Sequence, residues 1–325
     1  MRRSRPTSTC FGQVVVGPPG SGKTTYVRGM REALALLGRR VVVVNLDPGN
    51  EEAWSADELA RDAVGVAASP REALDAAAKT ALVDLAELVS TEEAQRALHL
   101  GPNGAAVFCM EFLLARLSWL VDRLRACAEE DEERPPYFLF DMPGQVELFT
   151  HHDAVSRVVS ALTRELDVRL VAVHLVDATH ALDPSTFISV AVLALLAMFR
   201  LALPHVNVLS KMDLLDEDEL AFPLDFYTDL TSIADLAPLV GQSAAEASTA
   251  RGRVFAERRR RLYDALCELI DEYGQVGFRT LNVRDAASMA DLIRVVDRAG
   301  GFYQAPPVPD RAREQQHRHG HREAR

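Results

Sequence analysis

The stretch that most limits what this chain can become is GPPGSGKTT at residues 17–25, with Val14, Val15 and Val16 before it and a helix-like run over residues 24–37 behind it. Strand, glycine-rich loop and helix follow one another. Gly17, Gly22, Lys23 and Thr24 stand at the spacing G-x-x-x-x-G-K-[ST]. A phosphate cradle needs these residue types. Glycines allow positive φ, so that across Gly17, Pro18, Gly20, Ser21 and Gly22 the backbone curls and its amides form an anion nest. Lys23 then reaches the β- and γ-phosphates, and the Thr24 hydroxyl ligates Mg²⁺. The helix that opens with Thr24 and Thr25 puts its positive dipole end under the phosphates. The competing reading is an accidental Gly/Pro turn. Average glycine usage puts that accident at well under about one chain of this length in a hundred. Lysine usage counts further against it: Lys23, Lys79 and Lys211 are the only lysines among 36 Lys and Arg residues. A compact ammonium where a point charge suits phosphate is not drift in a chain that writes arginine almost everywhere.

At 325 residues and 48% apolar content, the chain suffices for one large α/β domain or two smaller ones. A net charge of −11 argues against a nucleic-acid coat, and no direct nucleic-acid partner is expected. Cys10, Cys109, Cys127 and Cys267 lie far apart with no C-x-x-C pair, which fits free thiols in a reducing compartment. Arg2, Arg3 and Arg5 are followed by no apolar core of a secretory signal. The most apolar run, residues 187–199, falls short of the about twenty residues a bilayer span needs. It reads as a buried helix, with a subunit interface as the alternative, and no membrane association is expected.

Two further strands end in chemistry. Residues 41–45 are a valine run suited to a strand buried on both faces, followed by Asp47-Pro48-Gly49-Asn50. Ligands bind at that end of a parallel strand, so Asp47 would help hold Mg²⁺ or water beside the γ-phosphate; an Asx turn begun by Asp-Pro explains the phrase equally well. Residues 137–140 end in Asp141-Met142-Pro143-Gly144-Gln145. There Asp141 would hold Mg²⁺ through water, the Gly144 amide would meet the γ-phosphate, and Gln145 is placed to orient an attacking water. A strand over residues 205–209 runs into Ser210-Lys211-Met212-Asp213, an [NST]-K-x-D phrase downstream of the others and in the right order. Asp213 accepts from N1–H and the 2-amino group of guanine, and Lys211 lies along the base. Adenine would leave that carboxylate unpaired, and sites of this kind discriminate by about 10⁴ or more.

The remaining chain fills in an α/β pattern, with strands over residues 169–177 and 275–283 and helices over 81–98, 105–127, 154–166, 184–203, 256–273 and 286–298. This predicts a doubly wound, mostly parallel sheet with helices on both faces over residues 11–303. Helical insertions are expected at about 51–80 and 215–256. Residues 1–10 and the Pro-, Arg- and His-rich residues 304–325 are expected to be disordered, and His317, His319 and His321 read as part of a solvated tail rather than a metal site. Arg258–Arg261 reads as a solvated helix face. Leu281-Asn282-Val283 is the nearest candidate for a guanine-supporting turn. Gly101-Pro102-Asn103-Gly104, taken locally, is a turn with Asn103 as a helix cap.

With Gly-Pro-Asn standing between the second strand and the D-x-P-G-Q strand, the chain resembles the GPN-loop GTPase family, and within it the second eukaryotic paralogue group. The matching phrases include FGQVVVGPPGSGKTTY, VVVVNLDPGN, LGPNGAAVFCMEFL, YFLFDMPGQVELFTHH, LPHVNVLSKMDL and LIDEYGQVGF. The resemblance implies a P-loop fold that binds GTP or GDP with Mg²⁺ and hydrolyses GTP. It implies a homodimer, or a heterodimer with another family member, in which Asn103 reaches the partner's γ-phosphate and attacking water, replacing the cap reading. It makes Asp47 an acid near metal and water. It further implies RNA polymerase subunits or assembly factors as clients, and a cytoplasmic protein that shuttles to the nucleus. Gly49 and the Ala-rich residues 53–78 depart from the family pattern. A nucleotide-dependent assembly module, with GTP mainly structural, is the alternative to a switch; a P-loop kinase would need an acceptor lid that is not visible.

Overall fold

The computed structural model describes residues 9–50, 54, 81–131, 134–230, 232–240, 250–273 and 276–302. Residues 1–8 and 304–325 of the expected disordered flanks, nearly all of the Ala-rich insertion and part of the second insertion lie outside these residues; Cys10, expected to be disordered, instead opens the first strand and is buried. Seven strands form, β1 (Cys10–Val16), β2 (Val41–Asn45), β3 (Ala81–Asp84), β4 (Tyr137–Asp141), β5 (Val168–Asp177), β6 (His205–Ser210) and β7 (Phe278–Thr280), and all but β3 lie on the apolar runs the sequence marks as strands. They make one seven-stranded sheet in the order β3-β2-β4-β1-β5-β6-β7. Every pairing is parallel.

The helices are α1 (Lys23–Leu36), α2 (Thr91–Leu98), α3 (Pro102–Ala115), α4 (Leu117–Glu129), α5 (Val146–Thr150), α6 (Ala154–Glu165), α7 (Pro184–Leu201), α8 (Leu224–Asp229), α9 (Ala250–Tyr273) and α10 (Ala286–Gly300). Side chains alternate across β1. Val14 and Val16 join a core with Leu113 of α3, Leu120 of α4 and Val155 of α6. Val15 joins Tyr26 and Met30 of α1 and Leu292 of α10 on the other face. A third cluster packs Phe187 and Ala191 of α7 against Tyr227 of α8 and Ile270 of α9. α7 is long and apolar enough by length and composition to cross a membrane, and Phe187, Ile188, Ala191 and Ala194 place it in the core, as the buried-helix reading has it.

Four expectations are corrected. Residues 81–84 are not helical but form β3, pairing Leu82 and Val83 with Val43 and Val44. Helix begins again only at Thr91, after a 3₁₀ turn over Leu85–Glu87. The single helix expected over 105–127 is two, broken at Arg116 (φ −116, ψ 29). No Gly or Pro marks the break; α3 packs on α6, whereas α4 turns to cover β3 as well. Asn103 is not the cap of α3. Gly101 is, with Pro102 in the first helical turn, where a missing N–H and a fixed φ cost nothing. β7 is also shorter than the strand expected over 275–283.

The N-terminal rim of the sheet is closed by a clamp. Arg39 donates to both carboxylate oxygens of Asp297 on α10, at 2.8 and 2.5 Å. The same guanidinium lies 4.1 Å from the ring centroid of Phe302. Phe302 meets Phe11 edge-on at 4.9 Å.

His174 on β5 and His205 on β6 lie side by side in the core, ring centroids 6.0 Å apart. Burial holds His174 down to about 4. Burial, and then the neighbouring His174, hold His205 down to about 3. The unfolded chain therefore takes up protons below about 6.5 that the folded chain refuses, so the histidines favour folding above that pH and progressively less as it falls toward 4. Asp141, raised to about 6, works in the opposite sense. Comparison with His174→Gln isolates the histidine. The wild type's stability relative to that variant, from urea denaturation, is expected to drop by about 2 kcal/mol between pH 7 and pH 5. A pH-independent difference would contradict the buried neutral assignment.

Candidate active site

An all-parallel sheet brings the carboxyl ends of its strands to one rim, where ligands bind. Val15 of β1 is in register with Asp141 of β4, and Asp177 of β5 with Ser210 of β6. The glycine-rich loop leaves β1 between these ends. Gly20 and Gly22 take φ of +79 and +86, a region that glycine enters without strain. At Gly17 a Cβ would stand 2.3 Å from the Leu175 carbonyl oxygen, so the loop is pressed against β5 and admits no side chain there. Gly22 caps α1 without a side-chain bond, which leaves the first amides of this helix to an anion.

Lys23 follows directly and is buried. Its ammonium donates to the carbonyl oxygens of Gly17 and Pro18 at 3.2 and 3.3 Å. Burial pulls its pKa down, while Asp141 and Asp47 push it back up. Gly144, beyond β4, comes so close that a Cβ would be 2.8 Å from the Lys23 Nζ. Thr24 Oγ1 donates to Asp141 Oδ2 at 3.0 Å. The same carboxylate oxygen receives the Asn50 amide at 3.4 Å and the Trp54 indole N–H at 3.3 Å. Asp141 is fully buried, and burial and then the Asp47 charge raise it to about 6. Asp47 is raised by burial, against the Gly49 amide and Lys23. The Asx turn is real, with Gly49 N donating to Asp47 Oδ1 at 3.1 Å. The same turn holds Asp47 beside Asp141 and Lys23, so the two readings of that phrase are compatible.

These residues fit Mg²⁺. The donors are hard oxygens: the Thr24 hydroxyl and the carboxylates of Asp141 and Asp47. Asp141 Oδ1 is buried without a hydrogen-bond partner. No three His, Cys, Asp or Glu among the described residues could hold a metal unaided. That suits a cation which takes one or two protein oxygens and completes its shell with phosphate and water.

The base end is tied to the phosphate end by one hydroxyl. Ser210 Oγ lies 2.8 Å from the Ser21 carbonyl oxygen in the loop and 2.9 Å from that of Val176 in β5. Lys211 adopts φ +58 and pairs with Asp177 at 2.7 Å. Partial burial raises Asp177, but the Lys211 ammonium and Thr179 outweigh it and hold the carboxyl below its usual range. Asp213 remains about one third exposed, 3.9 Å from the Arg284 guanidinium. The turn after β7 reaches this spot, since Met212 N donates to Leu281 O at 3.3 Å. Leu281-Asn282-Val283 is therefore beside Asp213, where a base-supporting turn would have to be.

The structure thus brings Gly17, Pro18, Gly20, Ser21, Gly22, Lys23, Thr24, Asp47, Asp141 and Gly144 to one place, with Thr25 exposed on the first turn of α1. Ser210, Lys211 and Asp213 lie along the adjoining rim. Gln145 caps α5 and turns Oε1 inward, where it is buried without a partner. Asn103 is exposed, and no hydrogen bond or ion pair of the described residues joins it to its own phosphate loop. Sequence reasoning passes over Asn50, Trp54 and Asp177. Asn50 stands in the Asp-Pro-Gly-Asn phrase itself, and Asp177 ends a strand as an opposite charge for Lys211; Trp54 carries no local signal beyond being one of two tryptophans.

A family model described as "Conserved hypothetical ATP binding protein" matches residues 15–82 and 72–302. The chain is 44% identical over 303 residues to GPN-loop GTPase 2 of Danio rerio, covering 93% of this chain and 84% of that protein. It is 39% identical over 293 residues to GPN-loop GTPase QQT1 of Arabidopsis thaliana, covering 90% of this chain and 85% of that one. A solved structure of a GTPase in apo form from Pyrococcus abyssi superposes with a TM-score of 0.58 at 22% identity, covering 89% of this chain and 97% of that one, and shows the shared fold. On full-length likeness to these relatives, the chain belongs to the GPN-loop GTPase family.

Proposed function

We propose that this protein binds GTP with Mg²⁺ and hydrolyses it to GDP, working as a dimeric switch. The observation that carries the reading is the convergence of Lys23, Thr24, Asp47 and Asp141 beside a helix start whose Gly22 cap offers no side-chain bond, with Ser210 fastening the Ser210–Asp213 turn to the same loop. Lys23, held by loop carbonyls, would turn its ammonium to phosphate oxygens, whose charge compensates its burial. Mg²⁺ held by Thr24 and, through water, by Asp141 would draw charge from the β–γ bridge. Asp47 and Gln145 would orient the attacking water, and Gly144 would offer its amide to the γ-phosphate. Asn103, exposed at the start of α3, would complete the site of a second subunit.

The family likeness extends this proposal to a cytoplasmic, nucleus-shuttling protein whose clients are RNA polymerase subunits or their assembly factors. If GTP were mainly structural, client assembly would survive loss of turnover.

The test concerns the base, since the family model's description says ATP and the relatives' names say GTP. GTP is expected to displace a fluescently labelled guanine nucleotide from the protein about 10²-fold or more better than ATP, and Asp213→Asn to abolish the preference. Equal competition by ATP would reduce Ser210–Asp213 to a turn and end the GTPase assignment.

A further inference from the structure

Asn50 sits in a place that the proposed reaction does not explain. Its side-chain nitrogen is 2.6 Å from Thr24 Oγ1 and 3.4 Å from Asp141 Oδ2. An ionised carboxylate only accepts hydrogen bonds, so the amide nitrogen is the atom that must face it. A partially positive N–H₂ group thus covers the Thr24 hydroxyl oxygen that a cation in this site would use directly, while also touching Asp141 Oδ2. Mg²⁺ binds oxygen at about 2.0–2.1 Å and tolerates little departure from octahedral geometry. An amide nitrogen at 2.6 Å from the same hydroxyl oxygen crowds that shell. Asp141 does not depend on Asn50 for its orientation. Trp54 is buried, its indole N–H reaches Asp141 Oδ2 at 3.3 Å, and its ring lies 5.7 Å from the Arg28 guanidinium carbon. Thr24 donates to the same oxygen at 3.0 Å. With Oδ2 held by these two, Oδ1 is the oxygen left to offer.

We infer that Asn50 is a positioning residue that stands in for the metal: its amide occupies the Thr24 hydroxyl oxygen and must leave before Thr24 can ligate Mg²⁺, while Trp54 keeps Asp141 in place during the exchange. The inference rests on the proposed Mg²⁺–nucleotide site. It makes Asn50 a competitor of the cation, so its removal should tighten metal binding. A residue that merely supported the loop, or that held a metal-bound water, would weaken binding when removed.

The sign of the effect is read with Mn²⁺ in place of Mg²⁺, titrated into the GDP-bound protein and followed by the electron paramagnetic resonance signal of free Mn²⁺. Asn50→Ala is expected to bind Mn²⁺ about 2- to 10-fold more tightly than wild type, the fold-change carried by one net hydrogen bond. Asn50→Ser, too short to reach both oxygens, should show the same gain and decides the matter if the alanine variant does not fold. Unchanged or weaker Mn²⁺ binding in variants that still bind GDP overturns the role of Asn50 alone. A wild-type protein that binds GDP but takes up no Mn²⁺ with it overturns the metal site, and this inference with it.

Discussion

Asp141→Asn is expected to cut GTP turnover by at least about 10²-fold and, in the same protein, to raise the stability of the metal-free chain. Both effects follow from a carboxylate buried beside a second carboxylate. Its folded pKa of about 6 lies above the unfolded value of 3.8, so the folded state binds the extra proton between those values. The stabilisation is complete below about pH 4 and is lost as pH rises through 6; at pH 7.5 the folded chain carries the full cost of an ionised Asp141, roughly 2–3 kcal/mol. Asparagine keeps a carbonyl to accept from Thr24 and Trp54 and removes the charge. It also relieves Asp47, whose own charge is disfavoured by burial. Urea denaturation in EDTA at pH 5 and pH 7.5 checks this: the variant's advantage should be about twice as large at the higher pH. Equal stability at pH 7.5 would mean that water or a nearby cation already compensates Asp141.

The second large effect concerns Asn103. Asn103→Ala is expected to lower turnover by about 10²–10³, the usual loss for one transition-state donor, while leaving nucleotide affinity nearly unchanged. Its exposure separates this residue from the buried or half-buried Lys23, Asp47, Asp141 and Gln145. Mixing tests whether it acts on a partner. Asn103→Ala keeps its phosphate loop, and Lys23→Ala keeps its Gly-Pro-Asn turn. If the turn acts in trans, two variants that are each nearly inactive regain about a quarter of wild-type activity once subunits exchange at equal amounts, because half of the dimers then hold one complete site. No recovery would place Asn103 in its own subunit's site or outside the chemistry.

Much of this was legible from local pattern because buried parallel strands have a plain signature. Val41–Asn45 reads to the residue, and β1, β4, β5 and β6 within one residue at either end, since nothing but apolar β-formers fits between two helical layers. The ligand phrases were legible for a related reason: parallel strands send their carboxyl ends to one rim, so a motif's place after a strand fixes its place in space. β3 was not legible, because Ala81–Asp84 is a short edge strand whose local composition favours helix and whose conformation comes from pairing with β2. The break at Arg116 is tertiary in the same way. Pro102 did hold a usable signal, for proline in a first helical turn moves the cap to Gly101. Asn50 and Trp54 were missed because a contact converging on Asp141 from 91 and 87 residues away has no sequence period.

The clamp at the sheet's other rim bears on how the protein can be handled. Phe302, at the end of the described chain, rests on Phe11, just after its beginning. Arg39 locks the two through Asp297, Tyr137 and Phe302. Both exits of the folded domain therefore lie together at the pole of the sheet away from the phosphate loop. An affinity tag, a surface tether or a fluorescent reporter fused directly before Thr9 or after Phe302 would start from that pole, away from the phosphate loop. A linker joining the two ends would need to span only a few residues' breadth, so new termini could be cut elsewhere in a circularly permuted chain without pulling on the site.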